Sequence, residues 1–81
     1  MAEVKILYED KDIIVVVKPA GMASQEERSA DMDMVSWLKN YLVREKKVKG
    51  MPYIGVIHRL DKPVGGVMVY AKTQQAAGKL S

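Results

Sequence analysis

Cysteine is absent from the 81-residue chain, so neither a disulfide framework nor a thiolate metal site can form. The absence fits a reducing compartment. Histidine occurs once, at His58, so with no clustered acid beside it no metal site of familiar composition can be assembled. Phenylalanine is also missing and tryptophan occurs once, so a core must be built from aliphatic side chains. Long apolar runs are lacking. The longest, Ile13 to Val17, is far below the roughly 20 residues of a membrane helix. The opening Met1-Ala2-Glu3-Val4-Lys5 has no signal-peptide pattern, so a soluble, cytoplasmic protein without a membrane partner is expected. There is no internal repeat, low-complexity tract or interdomain linker. A chain of this size is one small domain or a piece of a larger one, burying only roughly 60% of its unfolded surface.

What is present points to strands and to a divided charge. Val and Ile are abundant, and six Met residues can fill irregular gaps between them. The net charge of +3 is unevenly placed. Residues 1–43 hold five Lys/Arg against eight Asp/Glu, whereas residues 44–81 hold eight against two. The second half could therefore face a polyanion, although a solvated basic surface accounts for charge alone equally well.

Patterning predicts strands over 5–8 and 13–18, joined by a polar link of hairpin length, Glu9-Asp10-Lys11-Asp12. The second run lacks alternation, as in a strand covered on both faces. Pro19 and Gly21 end it. Residues 22–30 read as a polar loop. Met34, Val35, Leu38, Tyr41 and Leu42 then recur at helical spacing. Asp31 and Asp33 stand at the start of this helix, Arg44, Lys46 and Lys47 near its end, and Gly50 and Pro52 close it. Strands are expected over 53–57 and 67–71, with a tight hairpin turn between them, and a helix from residue 74. The order predicts an α+β fold, a mixed, largely antiparallel sheet with helices packed on it.

The chemistry-bearing stretch is His58-Arg59-Leu60-Asp61-Lys62-Pro63-Val64-Gly65-Gly66. Asp61 is the only carboxylate after Glu45 and lies in the basic half. On an RNA-binding surface it would repel phosphate. Two readings are open: it neutralises Arg59 and Lys62 in a surface ion pair of little worth, or it performs a reaction. Pro63 restricts Lys62 to extended conformations, and Gly65-Gly66 lets the chain turn into the next strand. A carboxylate in such a loop is rigidly placed, and adjacent cations favour its ionised form, suited to a nucleophile or base. No second acid is near enough for a two-carboxylate glycosidase. Arg59 is either half of an ion pair or a phosphate or base contact. His58, alone at a strand end, reads as a structural hydrogen-bonding residue. The glycines match neither phosphate-loop nor dinucleotide spacing. The run from Arg44 to Lys49 reads as a solvated helix end.

Two segments together resemble the pseudouridine synthases of the RluA-like branch. The first, Ile6 to Met22, ends in Lys18-Pro19-Ala20-Gly21. The second runs from His58-Arg59-Leu60-Asp61 through Val67-Met68-Val69-Tyr70-Ala71-Lys72-Thr73. The resemblance covers essentially the whole chain. It implies that Asp61 is the catalytic aspartate, acting at the ribose of a uridine so that the base detaches, rotates and rejoins through a carbon, without cofactor or metal. It implies further that Arg59 helps hold the extruded nucleotide, with His58 and Lys62 as supporting RNA contacts, and that the substrate is rRNA or tRNA. Extrusion costs a few kcal/mol, least in unpaired regions. After Asp61 the family more often has an acidic or polar residue and then Thr-Ser-Gly. Here Lys62-Pro63-Val64-Gly65-Gly66 removes two hydroxyls.

The resemblance implies that residues 1–81 are the N-terminal part of a single catalytic domain, truncated at its C-terminus. The chain alone is then expected to be inactive and to expose strand edges through which it self-associates. Two other functions remain open: a non-catalytic RNA-binding module, and an interaction fragment whose charge division is incidental.

Overall fold

The computed structural model describes residues 4–25, 32–46, 50, 52–61 and 63–80. Strand β1 (Lys5–Glu9) and strand β2 (Ile13–Lys18) form an antiparallel hairpin with an irregularity between Ile6 and Tyr8. Asp10 builds its turn. Its carboxylate accepts from the N–H groups of Asp12 (2.8 Å) and Ile13 (2.9 Å), while its own N–H donates to the Ile13 carbonyl. Short polar side chains favour turns by this means. Those backbone bonds, joined by one from the Tyr8 hydroxyl, hold the Asp10 carboxyl below its usual range.

Helix α1 (Met34–Glu45) starts where Asp33 caps it, accepting from the Ser36 N–H at 2.7 Å. Strand β3 covers only Gly55–Val56, strand β4 spans Gly66–Ala71, and helix α2 spans Gln74–Leu80. The Thr73 hydroxyl accepts from the Ala76 N–H at the start of α2. The sheet order is β1-β2-β4-β3, with every neighbouring pair antiparallel. The expected α+β architecture is therefore what forms. No helix among the described residues is long and apolar enough to cross a membrane.

β2 and β4 are the centre. They pair from Ile13 with Ala71 to Lys18 with Gly66, so Ile14, Val16, Met68 and Tyr70 share one face. Met34, Val35, Leu38 and Leu42 of α1 join them in one buried cluster. Tyr41, on the same helical stripe, is only partly buried, because its hydroxyl reaches out to Glu9 at 2.8 Å. The opposite face carries Val15, Val17, Val67 and Val69. It is only partly covered, with Val67 58% exposed. The continuous apolar run of β2 thus serves one buried and one half-buried face.

Two expected elements differ. The strand read over 53–57 shrinks to two residues, and a long loop, residues 57–65, replaces the tight hairpin turn. The cause is a side chain that takes over the ladder, described below. The polar loop read over 22–30 begins with Met22, Ala23 and Ser24, all buried.

Candidate functional site

The site is the 57–65 loop together with the turn that follows β2. That turn comes first. Met22 N–H donates to the Pro19 carbonyl at 3.3 Å, and Gly21 has φ 89°. This is type II turn geometry, in which the third position needs glycine. The turn brings Lys18 and Ser24 under the loop from opposite sides.

Lys18 closes the buried face of β2 and is fully buried. Its ammonium donates to the carbonyls of Val64 (2.5 Å) and Pro19 (3.2 Å). Burial pushes its pKa down, because the charged form loses water. The loop passes close above. A Cβ on Gly65 would lie 3.0 Å from the Lys18 carbonyl oxygen and 3.1 Å from the Ala20 nitrogen, so only glycine fits without displacing backbone.

Ser24 grips the other end. Its hydroxyl donates to the Leu60 carbonyl at 2.6 Å and accepts from the Leu60 N–H at 3.1 Å. Ser24 is itself held. Its carbonyl accepts from the hydroxyl of Tyr70 at 2.5 Å, and the neighbouring Ala23 carbonyl accepts from Met34 N–H at the start of α1. Tyr70 is fully buried, and burial, assisted by the Asp33 carboxylate, raises its pKa well above that of a free phenol.

The third hold is His58. Beyond Val56 the chain leaves β4, and the His58 Nε2 accepts from the Val69 N–H at 3.1 Å. That donor would otherwise have paired with a longer β3. The His58 ring thereby ties the loop to β4.

Between these holds lies Asp61. Its carbonyl accepts from the Val64 N–H at 2.9 Å, closing a turn, and its carboxylate is exposed. The carboxylate has no hydrogen-bond or ion-pair partner among the described residues. Arg59 is likewise exposed and makes no ion pair with it, so of the two readings for Arg59 the local pair is not formed. Lys62 lies outside the described residues. Three expected site residues, His58, Arg59 and Asp61, thus share one loop, and Arg59 and Asp61 are both exposed on it. No group of three or more His, Cys, Asp or Glu that could hold a metal occurs among the described residues.

A cavity of about 620 Å³ borders the same turn at Ala20, Gly21 and Met22 and extends along α1 past Trp37, Asn40 and Arg44. Asp61 does not line it. Lys72, in the basic half, has a structural task. It bonds to Glu9 at 2.6 Å and to the Asp10 carbonyl at 2.8 Å. Burial alone would raise the Glu9 carboxyl, but hydrogen bonds from Lys72 and Tyr41 and the charges of Lys72 and Lys46 outweigh it, and its pKa is lowered. Reading the sequence missed Ser24 and the burial of Lys18. The signal for Lys18 was its two-residue spacing from Ile14 and Val16.

The family model described as RNA pseudouridylate synthase matches residues 12–81. Ribosomal large subunit pseudouridine synthase D of Pseudomonas aeruginosa is 38% identical over 78 residues, covering 96% of this chain and 24% of the relative. The protein of the same name from Xanthomonas campestris is 42% identical over 72 residues, covering 88% and 21%. Among solved structures, human RNA pseudouridylate synthase domain containing 4 superimposes with a TM-score of 0.74 at 29% identity, covering 94% of this chain and 27% of that one. The chain spans about a quarter of the length of these relatives or less.

Proposed function

Because the chain belongs to the RNA pseudouridylate synthase family, we propose that it forms the N-terminal part of a catalytic domain that isomerises uridine to pseudouridine in RNA, with Asp61 as the essential carboxylate. The observation that carries this reading is the position of Asp61. It is an exposed carboxylate without a partner among the described residues, on a loop whose backbone is held by Lys18 and Ser24. A carboxylate held this way costs little reorganisation when a ribose arrives beside it.

The reaction needs no net change of composition. The bond from N1 of the base to C1′ of the ribose breaks, the base turns, and C5 bonds to C1′. The C5 proton leaves and N1 ends protonated. Asp61 acts at the sugar, either as the nucleophile at C1′ or as the base that removes a sugar proton. Arg59, exposed two residues away, contacts the extruded nucleotide through its planar guanidinium. His58 fixes the loop to β4, and Lys62 supplies charge for the phosphate backbone. The names of the bacterial relatives make large-subunit ribosomal RNA the first substrate to test, with tRNA as the second.

The test is release of tritium from transcripts labelled at C5 of uridine, with the full reading frame that contains these residues. Asp61→Asn is expected to lower turnover at least about a hundredfold while leaving RNA affinity unchanged or slightly higher. Undiminished turnover would overturn the assignment. A non-catalytic RNA-binding module is the second reading, favoured by the basic second half of the chain. It requires no release from the wild type and salt-sensitive binding. The 81-residue chain by itself is expected to release no tritium.

A further inference from the structure

The loop that bears Asp61 contains no hydroxyl of its own between Arg59 and Gly66, yet a hydroxyl holds it. Ser24 lies 36 residues upstream of Leu60, is 4% exposed, and uses its hydroxyl twice on that one residue, accepting from the Leu60 N–H and donating to the Leu60 carbonyl. Leu60 directly precedes Asp61. A two-bond grip on the peptide groups flanking one Cα fixes translation and rotation there, so the next Cα can move little. The grip has its own anchor, since the Tyr70 hydroxyl bonds to the Ser24 carbonyl from the central strand. We propose that Ser24 is a positioning residue for the reaction, setting where the Asp61 carboxylate meets the ribose; this rests on the reading of Asp61 given above.

Removing the hydroxyl leaves both Leu60 polar groups without that partner and frees the segment before Asp61, while Lys18 still holds the segment after it. Asp61 then swings about the remaining hold. Misplacement of a reacting group by about 1 Å costs on the order of a hundredfold in rate, with little effect on substrate binding, because Ser24 itself is buried beneath the loop.

The experiment compares Ser24→Ala, Ser24→Thr and Asp61→Asn in the full reading frame by single-turnover tritium release at increasing RNA concentration. Thermal midpoints confirm that each variant is folded. Ser24→Ala is expected to lower kcat by roughly tenfold to a hundredfold with KM unchanged, and Ser24→Thr, which keeps the hydroxyl, to recover most of the loss. In the 81-residue chain, amide exchange at Leu60 should accelerate by about tenfold or more in Ser24→Ala and stay slow in Ser24→Thr. Full kcat in Ser24→Ala beside an inactive Asp61→Asn would overturn this inference alone. Equal losses in the Ala and Thr variants, or unchanged Leu60 exchange, would overturn it as well. Turnover retained by Asp61→Asn would remove the underlying reading and this inference with it.

Discussion

Replacing Tyr70 by Phe tests the support beneath the loop with two independent readings. The Tyr70 ring is fully buried and its hydroxyl donates to the Ser24 carbonyl, in a residue only 4% exposed. Phenylalanine keeps the ring packed against Ile14 and Met68 but leaves a buried carbonyl without its donor, a loss of about 1–3 kcal/mol. A domain of this size has roughly 4–12 kcal/mol of stability in total, so the loss is large. With a urea m-value near the lower end of about 1–3 kcal/mol/M, the midpoint should fall by about 1–3 M at unchanged m. The second reading is alkaline. Burial raises the Tyr70 pKa above its ordinary value of 10.0. A group whose folded pKa is raised gives stability that is complete below the unfolded pKa and lost as pH rises through the folded one. Above pH 10 the unfolded chain therefore releases a proton that the folded protein keeps, and stability falls by about 1.4 kcal/mol per pH unit for each such proton. Tyr41, pushed up to about 12 by burial and its bond to Glu9, contributes in the same window. Lys18 contributes with opposite sign. Both are present in wild type and variant, so the difference in slope between pH 10 and 11.5 isolates Tyr70. Urea titrations followed by Trp37 fluorescence measure both quantities. Equal midpoints and equal alkaline slopes would refute the buried bond.

Other expected outcomes follow from neighbouring contacts. Lys18→Met keeps the buried stem but deprives the Val64 and Pro19 carbonyls of their shared donor; a loss of about 1–3 kcal/mol is expected, read as a thermal midpoint lower by several degrees. Glu9→Gln should flatten the acid limb of the stability profile. The depressed pKa of Glu9 gives stability present above pH 4.5 and lost as pH falls through the folded value, which chemical denaturation between pH 3 and 6 would detect. His58→Ala should speed amide exchange at Val69 while leaving Val15, its partner across the β2–β4 ladder, protected. Val67→Asp, at the most exposed apolar position of the open sheet face, should lower concentration-dependent sedimentation of the 81-residue chain if copies meet through that face, and leave it unchanged if they pair through strand edges.

Most of the fold was legible because local chemistry decides it. Asp10 makes its turn with its own neighbours, Asp33 caps α1 three residues on, and the stripe of Met34, Val35, Leu38 and Leu42 follows the helical period. Strand β3 was misjudged because its length is set at a distance. Tyr53 to Ile57 has the composition of a strand, but His58 takes the Val69 donor and the ladder stops at Val56. Ser24 was hidden for the same reason. Within a run of small and polar residues nothing local distinguishes it, and its two bonds go to Leu60, far along the chain.

The pairing of the two motif segments has a physical basis that neither reveals alone. Lys18 and Ser24 flank the Pro19-Ala20-Gly21 turn, and each grips one side of the loop that carries Asp61, while Gly65 allows the loop to lie against that turn. The turn is therefore the mould in which the loop is held. Loosening either grip should disturb the carboxylate without touching it. Changes at Arg59, which makes no such hold among the described residues, should alter RNA contact while leaving the loop in place.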